Sequence, residues 1–327
     1  MTKKIILILI LISGLTACNN EKAKENVKPE NKQENVEKKS PVNYPEVIDK
    51  YVALQGDENA WDDKVVHTFS IIEYPNHNEY KYWGYYGLDN YNEKDSQKKK
   101  AGLVLSNDLK HWKKYKGNPI INDNCRWPTA TVSDGKVYIF YAQYNQDGDS
   151  QIVMQTADDG IHFKDMKTVV PYQAGMQNQN PFIYFNPNDK MYYLFYYSGT
   201  ERSKTDKYWN IMLKKAKNLT DLPKAKPVLV IHSKETMAAP SVVFYNGKYY
   251  LLVEEFNNST EMDRWVTNAF YSDKIDSGYQ RVANNPVLSD NDACAFQYLL
   301  DNKLYVTFSH ALDKAKSKWN LKMIQVK

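Results

Sequence analysis

Asp134-Gly135-Lys136-Val137-Tyr138-Ile139-Phe140-Tyr141 joins a turn signal to a tyrosine-rich strand, and the chain repeats that junction. Asn188-Asp189-Lys190-Met191-Tyr192-Tyr193-Leu194-Phe195-Tyr196, Asn246-Gly247-Lys248-Tyr249-Tyr250-Leu251-Leu252-Val253 and Asp301-Asn302-Lys303-Leu304-Tyr305-Val306-Thr307-Phe308 keep the same order. Their lysines stand 54, 58 and 55 residues apart, from Lys136 to Lys190, Lys248 and Lys303. Glu79, 57 residues before Lys136, heads a fifth copy, Tyr80-Lys81-Tyr82-Trp83-Gly84-Tyr85-Tyr86. Asn-Gly and Asp-Gly suit a tight hairpin, whose central residues need φ > 0, and tyrosine favours half-buried strands.

A short apolar strand precedes each hairpin: Phe69–Ile72, Ala130–Val132, Phe182–Phe185, Val242–Phe244 and Phe296–Leu299. A third strand follows each: Gly102–Leu105, Ile152–Gln155, Ile211–Leu213, Thr267–Phe270 and Leu321–Ile324. Antiparallel sheets repeated at this period are the signature of propeller blades. Five copies predict an all-β chain folded as a five-bladed β-propeller over residues 44–327. A β-sandwich is the other all-β reading, and it leaves the regular spacing unexplained. The last copy ends at its third strand, so residues from about 44 to 66 are expected to complete that blade and close the ring.

Composition sets the bounds. Of 327 residues, 42% are hydrophobic and 25% charged, with 26 tyrosines, enough apolar material for a sizeable core. The formal charge of +4 falls to about +2 if Lys3 and Lys4 are removed, a near-balance that gives no warrant for a nucleic-acid partner. No run is long enough for a polytopic membrane protein.

The N-terminus reads as an address. Lys3 and Lys4 precede the apolar run Ile5–Ile12, Ser13-Gly14 and then Leu15-Thr16-Ala17-Cys18. A short basic region, an apolar stretch too brief to span a bilayer and small residues at its end make a secretory signal peptide, residues 1–17. The tetrad ending at Cys18 resembles a bacterial lipoprotein box. That resemblance implies cleavage before Cys18, acylation of its thiol and an extracytoplasmic chain anchored to an envelope membrane; a plain signal peptide with an incidental cysteine is the other reading. Residues 18–43 then form a lipidated cysteine and a solvated tether, since residues 19–43 carry two valines and one alanine as their apolar side chains. Cys125 and Cys294 face an oxidising compartment in which a disulfide is permitted, but they fall in non-adjacent repeats, which favours buried free thiols.

Leu105-Ser106-Asn107-Asp108-Leu109-Lys110-His111-Trp112, ending in Asn118-Pro119-Ile120, resembles the "S-x-D-x-x-x-W … N-P" blade ending of the glycoside hydrolase family 43 arabinanases and xylosidases and their five-bladed superfamily. Thr156–Phe163 and Asn284-Asn285-Pro286 are fainter echoes. The resemblance implies three acidic residues at a central funnel, because glycoside hydrolysis normally takes one carboxyl group to protonate the leaving oxygen and a second to activate water or attack carbon. The arabinanase phrase "V-H-D-P-S-I-I" is matched here by Val66-His67-Thr68-Phe69-Ser70-Ile71-Ile72, which puts Thr68 at the base position. The third-blade "D-P" is matched by Asn180-Pro181, and the fourth-blade "E-G-P" by Ala238-Ala239-Pro240. All three acids are substituted, and none of Thr68, Asn180 or Ala238 replaces a carboxyl group in proton transfer near neutral pH.

Blade topology supplies further candidates, since first strands start and second strands end at one face of the ring. That face gathers His67, Thr68, Arg126, Trp127, Gln179, Asn180, Ala238, Asp292 and Cys294 with Tyr86, Gln143, Tyr197, Glu254, Glu255 and His310. Aromatic rings, amides and a guanidinium suit sugars, so His67, Thr68, Arg126, Trp127, Asn180 and His310 are the expected glycan contacts. Trp127 is equally at home as core packing. Arg126 has Asp123 and Asp292 as alternative partners. His67 and His310 read either as satisfied interior histidines or as ligands. The resemblance also implies an axial calcium or water near His310. No Cys/His spacing indicates zinc, and no cofactor is expected.

Three functions follow. The first is a membrane-tethered, monomeric propeller that recognises an oligo- or polysaccharide without two-carboxylate hydrolysis. The second is an active glycosidase whose acids are relocated to Asp62, Asp63, Glu254, Glu255 or Asp292. The third is a protein-interaction propeller that uses its rim.

Overall fold

A computed structural model describes residues 40–63, 65–74, 79–88, 99–122, 124–201, 207–232, 236–256, 265–289, 291–315 and 317–327. Cys18, the signal peptide and most of the tether therefore lie outside the described residues, as does Asp123. The strands run β1 (Val47–Leu54), β2 (Val66–Glu73), β3 (Tyr82–Leu88), β4 (Ala101–Ser106), β5 (Lys113–Lys114), β6 (Arg126–Ser133), β7 (Lys136–Tyr144), β8 (Ser150–Ala157), β9 (Lys164–Val170) and β10 (Met176–Asn186). They continue with β11 (Met191–Glu201), β12 (Lys207–Ala216), β13 (Val228–Ile231), β14 (Thr236–Tyr245), β15 (Lys248–Phe256), β16 (Trp265–Ser272), β17 (Gln280–Arg281), β18 (Asp292–Leu300), β19 (Lys303–Ala311) and β20 (Trp319–Val326).

These strands form five four-stranded antiparallel sheets: β2–β5, β6–β9, β10–β13, β14–β17, and β18–β20 completed by β1. The chain is a five-bladed β-propeller, and every third strand expected from the sequence is present. Ring closure uses the N-terminal segment: β1 pairs with β20, and Glu46 and Lys327 exchange both backbone hydrogen bonds at 3.1 and 2.9 Å. Just before it, Ala283 N–H donates to Val42 O at 2.9 Å, and the Asn284 amide both accepts from Tyr44 N–H at 2.8 Å and donates to Tyr44 O at 3.0 Å. The Tyr44 hydroxyl donates to Gln297 Oε1 at 2.8 Å.

Strands packed on both faces read as continuous apolar runs rather than alternating ones, which accounts for the tyrosine-rich second strands. In β7, Val137, Ile139 and Tyr141 face the first blade, while Tyr138 and Phe140 face the third. Phe69, Phe140, Phe195 and Phe308 have no exposed surface, and burial of each contributes roughly 1.5–3 kcal/mol. Gly84 makes room for one of them: a Cβ there would sit 2.3 Å from the Phe69 ring.

The repeated motifs have local causes. Lys136, after its hairpin, pairs with Asp158 at 2.9 Å, and Lys248 pairs with Asp273 in the same way. Asn118 and Asn285, the asparagines of the N-P pairs, act as one-residue strands. Asn118 accepts from Leu103 N–H at 2.8 Å and donates to Leu103 O at 2.9 Å; Asn285 does the same to Ala269 at 2.7 and 2.9 Å. Cys125 and Cys294 are buried and are not joined in a disulfide.

Candidate functional site

All five inner strands start at one face, and each is interrupted once near its start. The pairing register slips between His67 and Phe69, Arg126 and Thr129, Gln179 and Phe182, Ala238 and Ser241, and Ala293 and Phe296. At each slip one non-glycine residue takes a left-handed backbone: Thr68 (φ 48°), Trp127 (50°), Asn180 (47°), Ala239 (46°) and Cys294 (51°). Such a residue costs about 1 kcal/mol or more, and a bulge re-aims the side chains beside it. In three blades the next residue is Pro128, Pro181 or Pro240, which has no N–H to leave unpaired.

These five residues form the floor of the funnel. Trp127 packs with Ala239 and Cys294, joining side chains from the second, fourth and fifth blades. Asn180 Nδ2 lies 3.6 Å from Cys294 Sγ. Thr68 N–H donates to Ser309 Oγ at 3.3 Å, and its hydroxyl donates to His67 O at 2.7 Å. By backbone register the fourth-blade counterpart of Thr68 and Asn180 is Ala239, with Ala238 one residue earlier. No carboxylate stands at any of the five bulge positions.

Four described acids near this face, Glu254, Glu255, Asp292 and Asp62, are already engaged. Glu254 accepts a hydrogen bond from Cys294 N–H across the blade boundary. Glu255, on the opposite face of β15, pairs with Arg281 at 2.6 Å and accepts from the Asn268 amide. Both side chains are buried, so neither is the solvated partner that an alternating strand end would supply. Asp292 accepts from the Ser289 hydroxyl at 2.6 Å and lies 2.7 Å from His310 Nδ1. Asp62 accepts from Tyr86 at 2.9 Å and pairs with Lys114 of β5 at 2.8 Å, an attachment to the outermost strand of the first blade.

Of the expected glycan contacts, His67 and Thr68 are wholly buried, and Asn180 and Trp127 are 3% and 5% exposed. His67 sets its ring edge-on to Trp319 at 5.5 Å. Arg126 and His310 are partly exposed. The Arg126 guanidinium lies 4.3 Å from the Tyr144 ring centroid and 5.1 Å from that of Trp127, a cation–π stack that fixes its direction. Asp292 is committed to His310 and Ser289 rather than to Arg126. Of these six, Arg126 and His310 alone keep partly exposed surface, above a floor of His67, Thr68, Trp127 and Asn180.

Calcium takes six to eight oxygen ligands. The bulge residues offer an indole, a methyl and a thiol beside one amide and one hydroxyl. No group of three or more His, Cys, Asp or Glu able to hold a metal occurs among the described residues. This donor set does not fit an axial calcium. Sequence reasoning missed the bulge itself and the supporting Ser289, Ser309 and Tyr144; the recurrent residue-proline step at the inner-strand starts was its one visible trace.

No family model matches the chain, and no curated protein does. Among solved structures it is similar to a thermostable family-43 glycoside hydrolase, with 14% identity, a TM-score of 0.62, and coverage of 80% of this chain and 89% of that one. It is also similar to an endo-arabinase from Bacteroides thetaiotaomicron, at 15% identity and a TM-score of 0.60 over 85% and 98% of the two chains. A third is a family-43 β-xylosidase/α-arabinofuranosidase from a compost metagenome, solved with xylotriose, at 14% identity and a TM-score of 0.58 over 87% and 96%. The five-bladed propeller is therefore structurally similar to family-43 arabinanases and xylosidases at low sequence identity.

Proposed function

We propose that this propeller recognises a glycan at its funnel mouth without two-carboxylate hydrolysis, while an acylated Cys18 holds it outside the cell membrane. One observation carries the reading: the five axial bulge positions are Thr68, Trp127, Asn180, Ala239 and Cys294, and an indole packs across the axis. Hydrolysis needs two carboxyl groups flanking the scissile bond. Glu254, Glu255 and Asp292 are each held by protein partners, which speaks against their having taken over those roles. The xylotriose bound by the compost enzyme supports a sugar as the ligand class. Arg126, stacked and partly exposed, supplies donors to sugar hydroxyls or carboxylates, and His310, oriented by Asp292, presents Nε2.

Calorimetric titration of arabino- and xylo-oligosaccharides tests the binding half. Arg126→Ala is expected to weaken binding about tenfold or more with an unchanged melting temperature. Capture of an envelope protein that ignores funnel substitutions, with no sugar bound, would instead favour the rim. Mass spectrometry of the chain isolated from membranes tests the anchor: a diacylglyceryl group on an N-terminal Cys18 is expected, and its loss in Cys18→Ser should release the chain.

A further inference from the structure

The turn face of the ring, opposite the funnel, carries a cavity of about 350 Å³ between the second and third blades, a size at the small end for ligand pockets. Asp134, Tyr138, Phe185, Lys190, Tyr192 and Lys217 help to line it. Tyr138 and Tyr192 are 9% and 8% exposed, and their rings belong to the core between the two blades. Neither hydroxyl has a hydrogen-bond partner among the described residues. Burial, with Asp134 adding to it, pushes the Tyr138 hydroxyl up from its ordinary value, so it remains an O–H donor at neutral pH.

The neighbouring interface shows what is missing here. Between the third and fourth blades, Tyr193 donates to Asp189 at 2.6 Å and Tyr249 to Asn186 Oδ1 at 3.3 Å, while the Asn188 amide donates to the Tyr249 oxygen at 3.2 Å. The turn from Asn186 to Met191 is long enough to fold its own polar side chains over those hydroxyls. The second-blade hairpin joins Ser133 to Lys136 through two residues, and Lys136 is committed to Asp158. Tyr138 of that blade and Tyr192 of the third are left without such a cover among the described residues. Beside them Phe185 is 43% exposed and leans on Tyr192, with ring centroids 5.0 Å apart.

We propose that this cavity is a second binding site, for an acidic sugar unit of the hexuronate class. The sugar's C–H face would lie on Phe185, its carboxylate toward Lys190 and Lys217, and its hydroxyls between the two tyrosines and Asp134. Two phenol donors and two ammonium groups around one carboxylate favour an anionic ligand that also carries hydroxyls, and the exposed ring supplies the apolar contact that a bare anion does not use.

Nuclear magnetic resonance titration of the full chain with galacturonate, glucuronate, galactose and acetate tests the proposal. At least one uronate is expected to bind, about tenfold more weakly to Tyr138→Phe/Tyr192→Phe, and more weakly again to Phe185→Ala. The tyrosine changes remove only hydroxyls, so the melting temperature should hold, and Arg126→Ala should leave uronate binding intact. Galactose or acetate binding as tightly as the uronate overturns the acidic-sugar assignment. Failure of both uronates to bind, binding unaffected by the double tyrosine variant, or loss of binding in Arg126→Ala overturns the site. The last outcome would leave the funnel reading standing, and loss of funnel binding would not touch this site.

Discussion

Single residues decide what the funnel can do, and most of them are held by ordinary local chemistry. Asp159, on the turn face away from the funnel, shows such chemistry at work. Burial raises its carboxyl, but the backbone N–H and ring of His162 and the N–H of Ile161 outweigh that and bring it to about 2. A depressed carboxyl adds stability that is present above the unfolded value near 3.9 and is lost as pH falls through the folded one. Wild type should therefore exceed Asp159→Asn by under about 1 kcal/mol at pH 6, because the half-exposed pair is screened. Urea midpoints should converge between about pH 4 and pH 2. At the axis, the sequence made the substitution of three acids legible through Thr68, Asn180 and Ala238. It did not make the left-handed backbone legible, because a threonine, tryptophan, alanine or cysteine there carries none of the signal that a glycine would. Register moves the fourth-blade counterpart to Ala239. Burial also separates His67 and Thr68, which sequence placed beside Arg126 as equals, from the exposed rim.

Elements divide by how strongly their environment is written into them. Inner, second and third strands are packed on both faces and stand out as apolar runs; of the fourth strands β13 is apolar (Val228–Ile231), but three others do not stand out. Lys113–Lys114 and Gln280–Arg281 are two-residue polar edges, and Lys164–Val170 is exposed over its first five residues, so neither periodicity nor hydrophobicity marks them. What marks the end of a blade is a side chain that stands in for a strand. Asn118→Ala should leave the Leu103 N–H without its partner, take one of two donors from the Leu103 C=O, and cost about 1–3 kcal/mol. Asn285→Ala should cost a similar amount through Ala269. Chemical denaturation of both variants checks this, and a loss within error of zero would mean that the amides are not acting as strand residues.

The whole ring depends on a latch at its seam. Residues 42–54 supply the outer strand of the last blade and, through Tyr44, reach the fourth and fifth blades together. Tyr44→Ala should cost about 3 kcal/mol or more and Tyr44→Phe about 1 kcal/mol, read from urea unfolding. Equal, small losses would show that closure does not use that side chain. Sequence spacing made both the five-fold ring and its N-terminal closure legible, because an incomplete last repeat leaves an edge that something must cover. The turn-face cavity was not legible, since it arises from a two-residue difference in hairpin length between neighbouring blades. A funnel of this composition should grip sugar and leave its bonds intact. The most direct measurement is proton magnetic resonance of xylo- and arabino-oligosaccharides incubated with the purified full chain, read both for saturation transfer from protein to sugar and for new reducing-end signals over hours. Saturation transfer that is lost in Arg126→Ala, with no reducing ends formed, is the predicted result; reducing ends that accumulate with wild type and vanish in Asp292→Asn or Glu254→Gln would contradict it.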